Sequence, residues 1–497
     1  MDNNIIDSGD DYILEKALAA FRAGMAAELP IQLAEPPEQV PPQVESPPAS
    51  LVNDEPPIPV LSDVNEDTIA TQFAIEYQGK LKYCEQLKAW FEWDPVKKLW
   101  NREQRRRAFH YARSVCRTLN TKNKAAIAKA TTASGVERFA RADPVFATVA
   151  EEWDQGDMIA GAPGQLLFLD SGAKKNQPDQ NYMITKSLGV APAPGRALLW
   201  DRLLEEWTAG DKEVQRFLQQ ICGYCLTGKT HEHVMIFIYG PGGNGKSVFL
   251  NTVMKILGDY AVMASIDTFT VSRNDRHSTE IAMLRGARLV AVSETEEGRA
   301  WKESLVKSLT GGDPVTARFM RQDNFTYIPQ FKLVVVGNHK PRLRNVDEAM
   351  RRRLCIIPFI HQPAVKDPHL EEELKSEYPQ ILNWMIEGCQ DWLANGLIRP
   401  AIVQATTDEY FEAQDLFAQW INDCCETGIN RSGASSELYA NWKAYAEMAG
   451  ETAGNSVRFA SNMERRGYCK RRTMHGMVFD EINLKPPKEE HLPYKDN

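Results

Sequence analysis

The sequence predicts an α/β fold centred on a parallel sheet, and three observations predict it. First, the apolar run Val234–Tyr239 precedes a glycine-rich loop and a helical period over Ser247–Leu257. Second, buried-type strands are expected at 288–294, 331–338 and 354–359, at spacings that leave room for helices between parallel strands. Third, polar or charged residues flank these runs, and the active groups of such sheets gather at the carboxyl ends of strands.

The loop after the first of these strands has the G-x-x-x-x-G-K-S pattern of a phosphate-binding loop. Its glycines allow successive backbone N–H groups to point at phosphate oxygens, and the helix N-terminus adds a partial positive charge. Lys246 is expected to reach the β- and γ-phosphates of ATP, and the Ser247 hydroxyl is expected to ligate Mg²⁺. The candidate nucleotide-binding residues are Gly240, Pro241, Gly242, Gly243, Asn244, Gly245, Lys246 and Ser247.

The other strand ends carry the remaining groups that nucleotide hydrolysis requires. Glu294 ends one strand and is expected to complete the Mg²⁺ site with the loop serine, and Glu296 is the rival because spacing alone does not choose between them. Asn338 ends the next strand and offers an amide to the γ-phosphate. The basic triplet 351–353 precedes the last strand and offers a cation for the transition state.

Charge and composition divide the chain unevenly. Of its 497 residues, the first 67 hold fourteen acidic and two basic residues, a net charge of −12 against −9 for the whole chain. The remainder therefore carries +3, and the acidic total does not argue against binding to nucleic acid. Ten prolines lie in the same acidic stretch, which is predicted to be disordered.

The cysteines and the hydropathy predict a cytoplasmic protein. Nine cysteines, an odd number without regular spacing, are typical of reduced thiols. Cys222 and Cys225 are interpreted as part of a buried helical face, because no second pair or histidine cluster lies at zinc-site spacing. No apolar run approaches the roughly 18 residues of a spanning helix and no signal peptide is visible, so no membrane partner is expected.

Several motifs in a fixed order carry a family resemblance. They are Gly240–Ser247, His277–Arg288 leading into Ser293-Glu294, Lys307–Asp313, Gly337–Pro341 and Asp347–Leu354. From about 73 to 480 the chain resembles the helicase portion of phage and plasmid primase-helicases, which are related to poxvirus-type nucleoside triphosphatases. These are superfamily 3 helicases, a branch of the AAA+ ATPases. The resemblance implies a ring, usually a homo-hexamer, with ATP between subunits and single-stranded DNA through the centre.

The resemblance also gives roles to the strand-end residues. The phosphate loop matches the Walker A motif, one of the two acids matches the Walker B carboxylate, and the amide matches the sensor residue. One of the two arginines before the last strand matches the arginine finger, which would act on ATP held by the neighbouring subunit. A surface basic cluster is the alternative interpretation of these arginines. The predicted catalytic residues are Lys246, Glu294, Glu296, Asn338, Arg352 and Arg353.

The segment 313–330 is predicted to form a hairpin, with strands at 315–320 and 325–328 joined by a polar turn. In the family a hairpin at this position projects into the ring pore and grips the DNA backbone. Such binding would be salt-sensitive and indifferent to sequence, and a purely structural hairpin is the alternative. The candidate DNA contacts here are Lys307, Arg318 and Arg321.

Four regions are predicted along the chain. They are a disordered acidic tail over 1–67, a mainly helical N-terminal domain over 68–205, an AAA+ P-loop ATPase domain over 206–400 and a winged-helix domain over 401–497. A helix–helix–hairpin pattern predicts the last region, and the resemblance implies it too. Its cations would bind duplex DNA such as an origin, although a winged helix can instead serve protein contacts. The candidate residues are Arg465, Arg466, Arg471 and Arg472.

These features predict an ATP- and Mg²⁺-dependent DNA helicase that acts on single-stranded and forked DNA in the replication of a phage, prophage or plasmid, in the bacterial host cytoplasm. Residues 1–67 are too few for a polymerising domain, so a primase domain is not expected and a separate primase is a candidate partner. The alternative is an AAA+ DNA-binding initiator or remodelling switch that hydrolyses ATP without processive unwinding.

Overall fold

The computed structural model describes residues 64–120, 122, 124–171, 173–175, 179–271, 277–293, 299–321, 323–343, 347–363 and 367–486. Most of the predicted tail, residues 1–63, lies outside this set, and so do Glu294 and Glu296.

The region upstream of the phosphate loop combines helices with two small sheets. Its first helix begins at a reciprocal capping box, in which Asn65 Oδ1 accepts from the Thr68 N–H and Thr68 Oγ1 accepts from the Asn65 N–H. The elements are α1 (Glu66–Tyr77), β1 (Leu81–Cys84), β2 (Ala89–Asp94), β3 (Leu99–Arg102), α2 (Arg107–Leu119), α3 (Ala130–Ala142), β4 (Ala147–Thr148), β5 (Ile159–Ala162), β6 (Gln165–Phe168) and β7 (Ala173–Lys175).

The region 68–205, expected to be mainly helical, holds two small sheets beside its helices. The described residues form one sheet of order β3-β2-β1-β4 and a second, antiparallel sheet of order β5-β6-β7. These strands are two to six residues long. Runs so short hold too few alternations for a period of two to stand out in the sequence.

The prediction of an α/β fold with a parallel sheet is confirmed. Five strands lie in the order β14-β8-β13-β10-β9, and every neighbouring pair is parallel. The elements are α4 (Leu198–Trp207), α5 (Lys212–Cys225), β8 (Met235–Tyr239), α6 (Lys246–Leu257), β9 (Ala261–Ala264), α7 (Ile266–Phe269), α8 (His277–Met283), β10 (Leu289–Ser293), α9 (Glu303–Gly311), β11 (Val315–Ala317), β12 (Phe325–Tyr327), β13 (Lys332–Gly337), α10 (Glu348–Arg351) and β14 (Leu354–Pro358).

The core lies on both faces of this sheet, because successive side chains of a strand point to opposite sides. Ile236 and Ile238 of β8 pack on one face with α4, α5 and α6. Met235 and Phe237 pack on the other face with Phe269 and neighbouring aromatic residues. Covering both faces explains why these strands are continuous apolar runs in the sequence.

The described residues after β14 form helices and a small antiparallel sheet of order β15-β17-β16. An aromatic core formed by Phe417, Trp420, Trp442, Phe459 and Phe479 joins this sheet to its helices. No helix of the described residues has the length and apolarity needed to cross a membrane. The elements are α11 (Leu370–Leu374), α12 (Tyr378–Asn395), α13 (Ala401–Gln414), α14 (Leu416–Cys424), β15 (Cys425–Ala434), α15 (Ser435–Met448), α16 (Ser456–Arg465), β16 (Lys470–Thr473) and β17 (Gly476–Leu484).

Candidate nucleotide site and nucleic-acid surfaces

The phosphate loop joins β8 to α6 at the carboxyl edge of the parallel sheet. Gly242, Gly243 and Gly245 have φ angles of 87°, 67° and 82°, in the left-handed region that favours glycine. Gly245 is also the N-cap of α6, so the N-terminus of that helix opens onto the loop. The loop therefore has the backbone geometry that binding of phosphate requires.

Close packing also fixes the loop from behind. A Cβ atom on Gly240 would lie 1.9 Å from the Phe359 carbonyl oxygen, and one on Gly245 would lie 1.9 Å from Trp207 Nε1. The Trp207 ring stacks on the Phe359 ring, with centroids 6.0 Å apart. Helix α4 and the residue after β14 therefore bracket the loop.

Lys246 is held inside the loop. Its side chain is buried, and Nζ donates to the Gly240 carbonyl at 2.9 Å and to Asn244 Oδ1 at 2.7 Å. Asn244 Nδ2 in turn donates to the Phe359 carbonyl. Burial lowers the pKa of Lys246. The neighbouring Ser247 is exposed.

A cavity of about 800 Å³ lies over the loop. The loop and the start of α6 form one wall, with Ser293 and Asn338 at the ends of β10 and β13. The structure thus brings together the loop and the predicted sensor amide. Helix α4 forms most of the remaining wall through Arg202, Leu203, Glu206 and Trp207, and Pro363, Asp367 and Leu370 complete it.

The two predicted acids cannot be compared in this geometry, because Glu294 and Glu296 lie outside the described residues. The last described residue before them, Ser293, is exposed and lines the cavity. Among the residues that the structure describes, no group of three or more His, Cys, Asp and Glu side chains could hold a metal ion. The roles of the two acids therefore stay predictions.

The basic triplet lies at the amino ends of the parallel strands, whereas the loop lies at their carboxyl ends. Leu354 pairs with Met235 and Pro358 with Tyr239, so the triplet neighbours the start of β8 and the loop follows its end. At about 3.3 Å per residue, these two points on the strand are roughly 13 Å apart. An arginine at the amino ends of the strands is therefore far from the loop of its own chain.

The three arginines have different surroundings. Arg351 donates to Asp408 at 2.8 Å and lies over the Phe411 ring. Arg353 is buried, donates to the Ala349 carbonyl, and has a pKa lowered by burial and by the neighbouring Arg352. The Arg352 side chain is exposed.

The predicted hairpin is present as the antiparallel pair β11–β12. Its base is anchored, because Val315 and Ala317 are buried and the Tyr327 hydroxyl donates to the Ile281 carbonyl at 2.6 Å. Arg318 and Arg321 are exposed at its far end, and Arg321 has a left-handed φ of 62°.

Lys307 does not join these exposed arginines. Its ammonium group forms an ion pair with Asp347, the residue that caps α10. The sequence places Lys307 eight residues upstream of β11, which begins at Val315, but gives no sign of this partner, which lies 40 residues downstream.

The C-terminal cations divide into two pairs. Arg466 donates to both oxygens of Asp415, and Arg471 donates to both oxygens of Asp480. Arg465 and Arg472 are exposed, and the Arg465 guanidinium contacts Asn462 of its own helix.

Sequence reasoning missed the wall of the cavity that α4 supplies. Trp207 lies in a stretch of helical spacing, but nothing in that spacing indicates that its ring lies against Gly245.

Fold and site together define a phosphate-loop protein of the α/β class. A family described as "D5 N terminal like" matches residues 70–223, and a "Family of unknown function (DUF5906)" matches residues 238–353. The second match runs from the loop strand through the basic triplet.

Relatives are found among large DNA viruses. A protein named a putative helicase from Acanthamoeba polyphaga mimivirus is 27% identical over 256 residues, which are 47% of this chain and 27% of the relative. One of the same name from Frog virus 3 is 26% identical over 235 residues, 43% of this chain and 24% of the relative. One named a putative primase from African swine fever virus is 23% identical over 240 residues, 42% of this chain and 25% of the relative. The chain thus spans about a quarter of the length of these relatives.

The family resemblance is confirmed at this level. The chain carries a D5 N-terminal-like region followed by a DUF5906 region, and its relatives bear helicase and primase names, as expected for the D5-like superfamily 3 helicase–primase family.

A solved structure of the NrS-1 C-terminal region aligns with 84% of this chain and 100% of its own, at 8% identity and a TM-score of 0.47.

Proposed function

We propose that the protein is an ATP- and Mg²⁺-dependent, ring-shaped DNA helicase of the AAA+ superfamily 3 type, which translocates on single-stranded DNA during replication of a phage, prophage or plasmid. The observation that carries the proposal is the arrangement of one sheet. The carboxyl ends of its strands bear the phosphate loop and Asn338, and the amino ends bear the exposed Arg352.

The loop and its cavity support ATP as the substrate. Backbone N–H groups of the loop, the N-terminus of α6 and Lys246 would bind the phosphates, and Asn338 would contact the γ-phosphate. The α4 wall, with Arg202 and Glu206, would then face the nucleoside. Mg²⁺, held by the Ser247 hydroxyl and one of the two acids, would neutralise charge on the phosphates.

The edge position of the triplet supports a site shared between two subunits. Arg351 and Arg353 are engaged within the chain, so Arg352 is the arginine whose charge can reach a neighbour. Its guanidinium would stabilise the transition-state charge on ATP bound at the next loop. A ring is the assembly in which every loop meets one such arginine.

The exposed cations support contacts with DNA. Arg318 and Arg321 of the hairpin would contact the phosphates of one strand inside the ring. The C-terminal helices and sheet, proposed to be a winged helix, would contact duplex DNA through Arg465 and Arg472.

The test is displacement of a labelled strand from a forked DNA duplex. Wild type is expected to release the strand only with ATP and Mg²⁺, whereas Lys246→Ala is expected to release none. Lys255→Ala is the matched control, since this exposed lysine lies on the same helix and pairs with Glu371 outside the cavity. Unwinding by Lys246→Ala at the wild-type rate would contradict the proposal.

A second candidate is a replication initiator or remodelling switch that hydrolyses ATP without processive unwinding. The exposed C-terminal arginines favour it, because attachment to duplex DNA suits an initiator as well as a helicase. A protein that hydrolyses ATP and binds the fork, yet releases no strand, would be this switch.

A further inference from the structure

Asn244 occupies a position that the loop motif leaves open to any residue. Its side chain is 1% exposed, and both ends of its amide are engaged. Nδ2 donates to the Phe359 carbonyl, and Oδ1 accepts from Lys246 Nζ at 2.7 Å. Replacing a buried amide with both ends matched leaves polar groups without partners, so this side chain is more than a spacer.

The anchor of this amide is rigid. Phe359 is fully buried, its backbone N–H donates to the Tyr239 carbonyl at 2.7 Å, and its ring packs against Trp207 and Phe249. Groups that orient a functional side chain are effective when they belong to such fixed parts of the scaffold.

The lysine that Asn244 contacts is long and intrinsically mobile. A lysine side chain has several rotatable bonds, and fixing it costs conformational entropy when phosphate binds. Here the Gly240 carbonyl and Asn244 Oδ1 already confine the ammonium group to the loop. The Lys246 side chain therefore loses part of its conformational entropy when the protein folds, and it loses less when phosphate binds.

We propose that Asn244 is a positioning residue, which holds Lys246 ready for phosphate by linking it to the Phe359 carbonyl. This inference rests on the proposed binding of nucleotide at the loop. Asn244 acts through the lysine, so its contribution to nucleotide affinity should disappear when the lysine is absent.

A double-mutant cycle tests the inference, with Asn244→Ala, Lys246→Ala and the variant that carries both. The readout is ADP affinity, obtained from the rise in melting temperature with ADP up to millimolar concentrations, where weak binding still registers. Asn244→Ala is expected to weaken ADP binding about tenfold with Lys246 present and less than about twofold with Lys246→Ala. An equal loss in both backgrounds would overturn the positioning role.

The same measurements distinguish a wrong positioning role for Asn244 from a wrong assignment of the nucleotide site. If Lys246→Ala leaves ADP affinity unchanged, the loop is not the nucleotide site, whatever Asn244→Ala does. The melting temperature of each variant without ADP reports on folding. If Asn244→Ala does not fold, Asn244→Leu, which is similar in size and has no hydrogen-bonding group, replaces it in the same cycle.

Discussion

Gly245 and Gly164 have similar left-handed backbones in different surroundings. Their φ angles are 82° and 73°, but a Cβ on Gly245 would meet the Trp207 indole at 1.9 Å, whereas a Cβ on Gly164 would meet nothing within 4 Å. Backbone strain is therefore common to both sites, and close packing is particular to the loop.

Gly164→Ala is expected to cost about 1 to 2 kcal/mol of unfolding free energy through strain alone. Gly245→Ala is expected to cost roughly 1 to 3 kcal/mol more, because the indole must move, and to abolish nucleotide binding. Denaturant unfolding and an ADP thermal shift measure the two effects. Equal costs in the two variants would mean that Trp207 does not restrain the loop.

Lys332 is a buried cation at the start of β13. Its ammonium donates to the Thr227 carbonyl at 2.5 Å and lies over the Tyr224 ring. Burial lowers the pKa of Lys332 to about 7. In the unfolded chain the lysine returns to its ordinary pKa of about 10.4.

This difference predicts how stability depends on pH. Between about pH 7 and 10 the unfolded chain binds more protons than the folded one, so the free energy of unfolding rises with pH by up to about 1.4 kcal/mol per unit. Lys332→Met removes the titrating group, and its unfolding curves at pH 7.5 and 9 isolate the effect from other groups. Parallel pH dependence in wild type and variant would contradict the lowered pKa.

Residue type and spacing predict the loop, but they do not distinguish the members of the triplet. Arg351, Arg352 and Arg353 share one sequence neighbourhood, and partners from distant elements make them different. Asp408 lies 57 residues from Arg351 and is the partner that engages it. Such contacts have no local signal, so the choice of Arg352 needed the structure.

At the scale of elements, the hairpin presents its charge at the end away from the core. Arg321→Ala is expected to weaken binding to single-stranded DNA and to reduce the slope of log affinity against log salt by about 0.7, the value for one phosphate contact. Arg431→Ala is the control, since this exposed arginine pairs with Glu426 on β15. Fluorescence anisotropy across salt concentrations measures the slope. An unchanged slope in Arg321→Ala would mean that this arginine does not contact DNA and would favour a purely structural hairpin.

The four candidate arginines of the C-terminal module are all exposed, and two of them, Arg466 and Arg471, form ion pairs within the module. Arg465→Ala with Arg472→Ala is expected to lower affinity for duplex DNA several-fold while leaving the melting temperature nearly unchanged. The matched variant, Arg466→Ala with Arg471→Ala, removes two intramolecular ion pairs and is expected to affect stability more than DNA binding. Gel-shift titration and thermal unfolding compare the two, and the reverse pattern would contradict this division.

Element prediction succeeds where burial is uniform and fails where strands are short. The strand predicted at 354–359 is observed at Leu354–Pro358, because burial on both faces makes it a continuous apolar run. The strands of the upstream sheets have at most six residues and mixed exposure. Their pairing depends on contacts across the sheet that no local pattern contains.

For the whole molecule, the groups proposed for ATP hydrolysis lie at the two opposite ends of the strands of the central sheet. The loop and Asn338 lie at one end, and Arg352 lies at the other. Within one chain the length of β8, roughly 13 Å, separates these groups. We therefore expect ATP to be hydrolysed between subunits.

Mixing two inactive variants tests whether the hydrolytic site is shared between subunits. Lys246→Ala has an intact Arg352 but a defective loop, and Arg352→Ala has an intact loop but no finger. If the site is shared, mixed rings place an intact loop against an intact arginine, and ATP hydrolysis recovers to roughly a quarter of the wild-type rate in an equal mixture that assembles at random. Hydrolysis in the mixture that stays at the sum of the two separate variants would contradict a site shared between subunits.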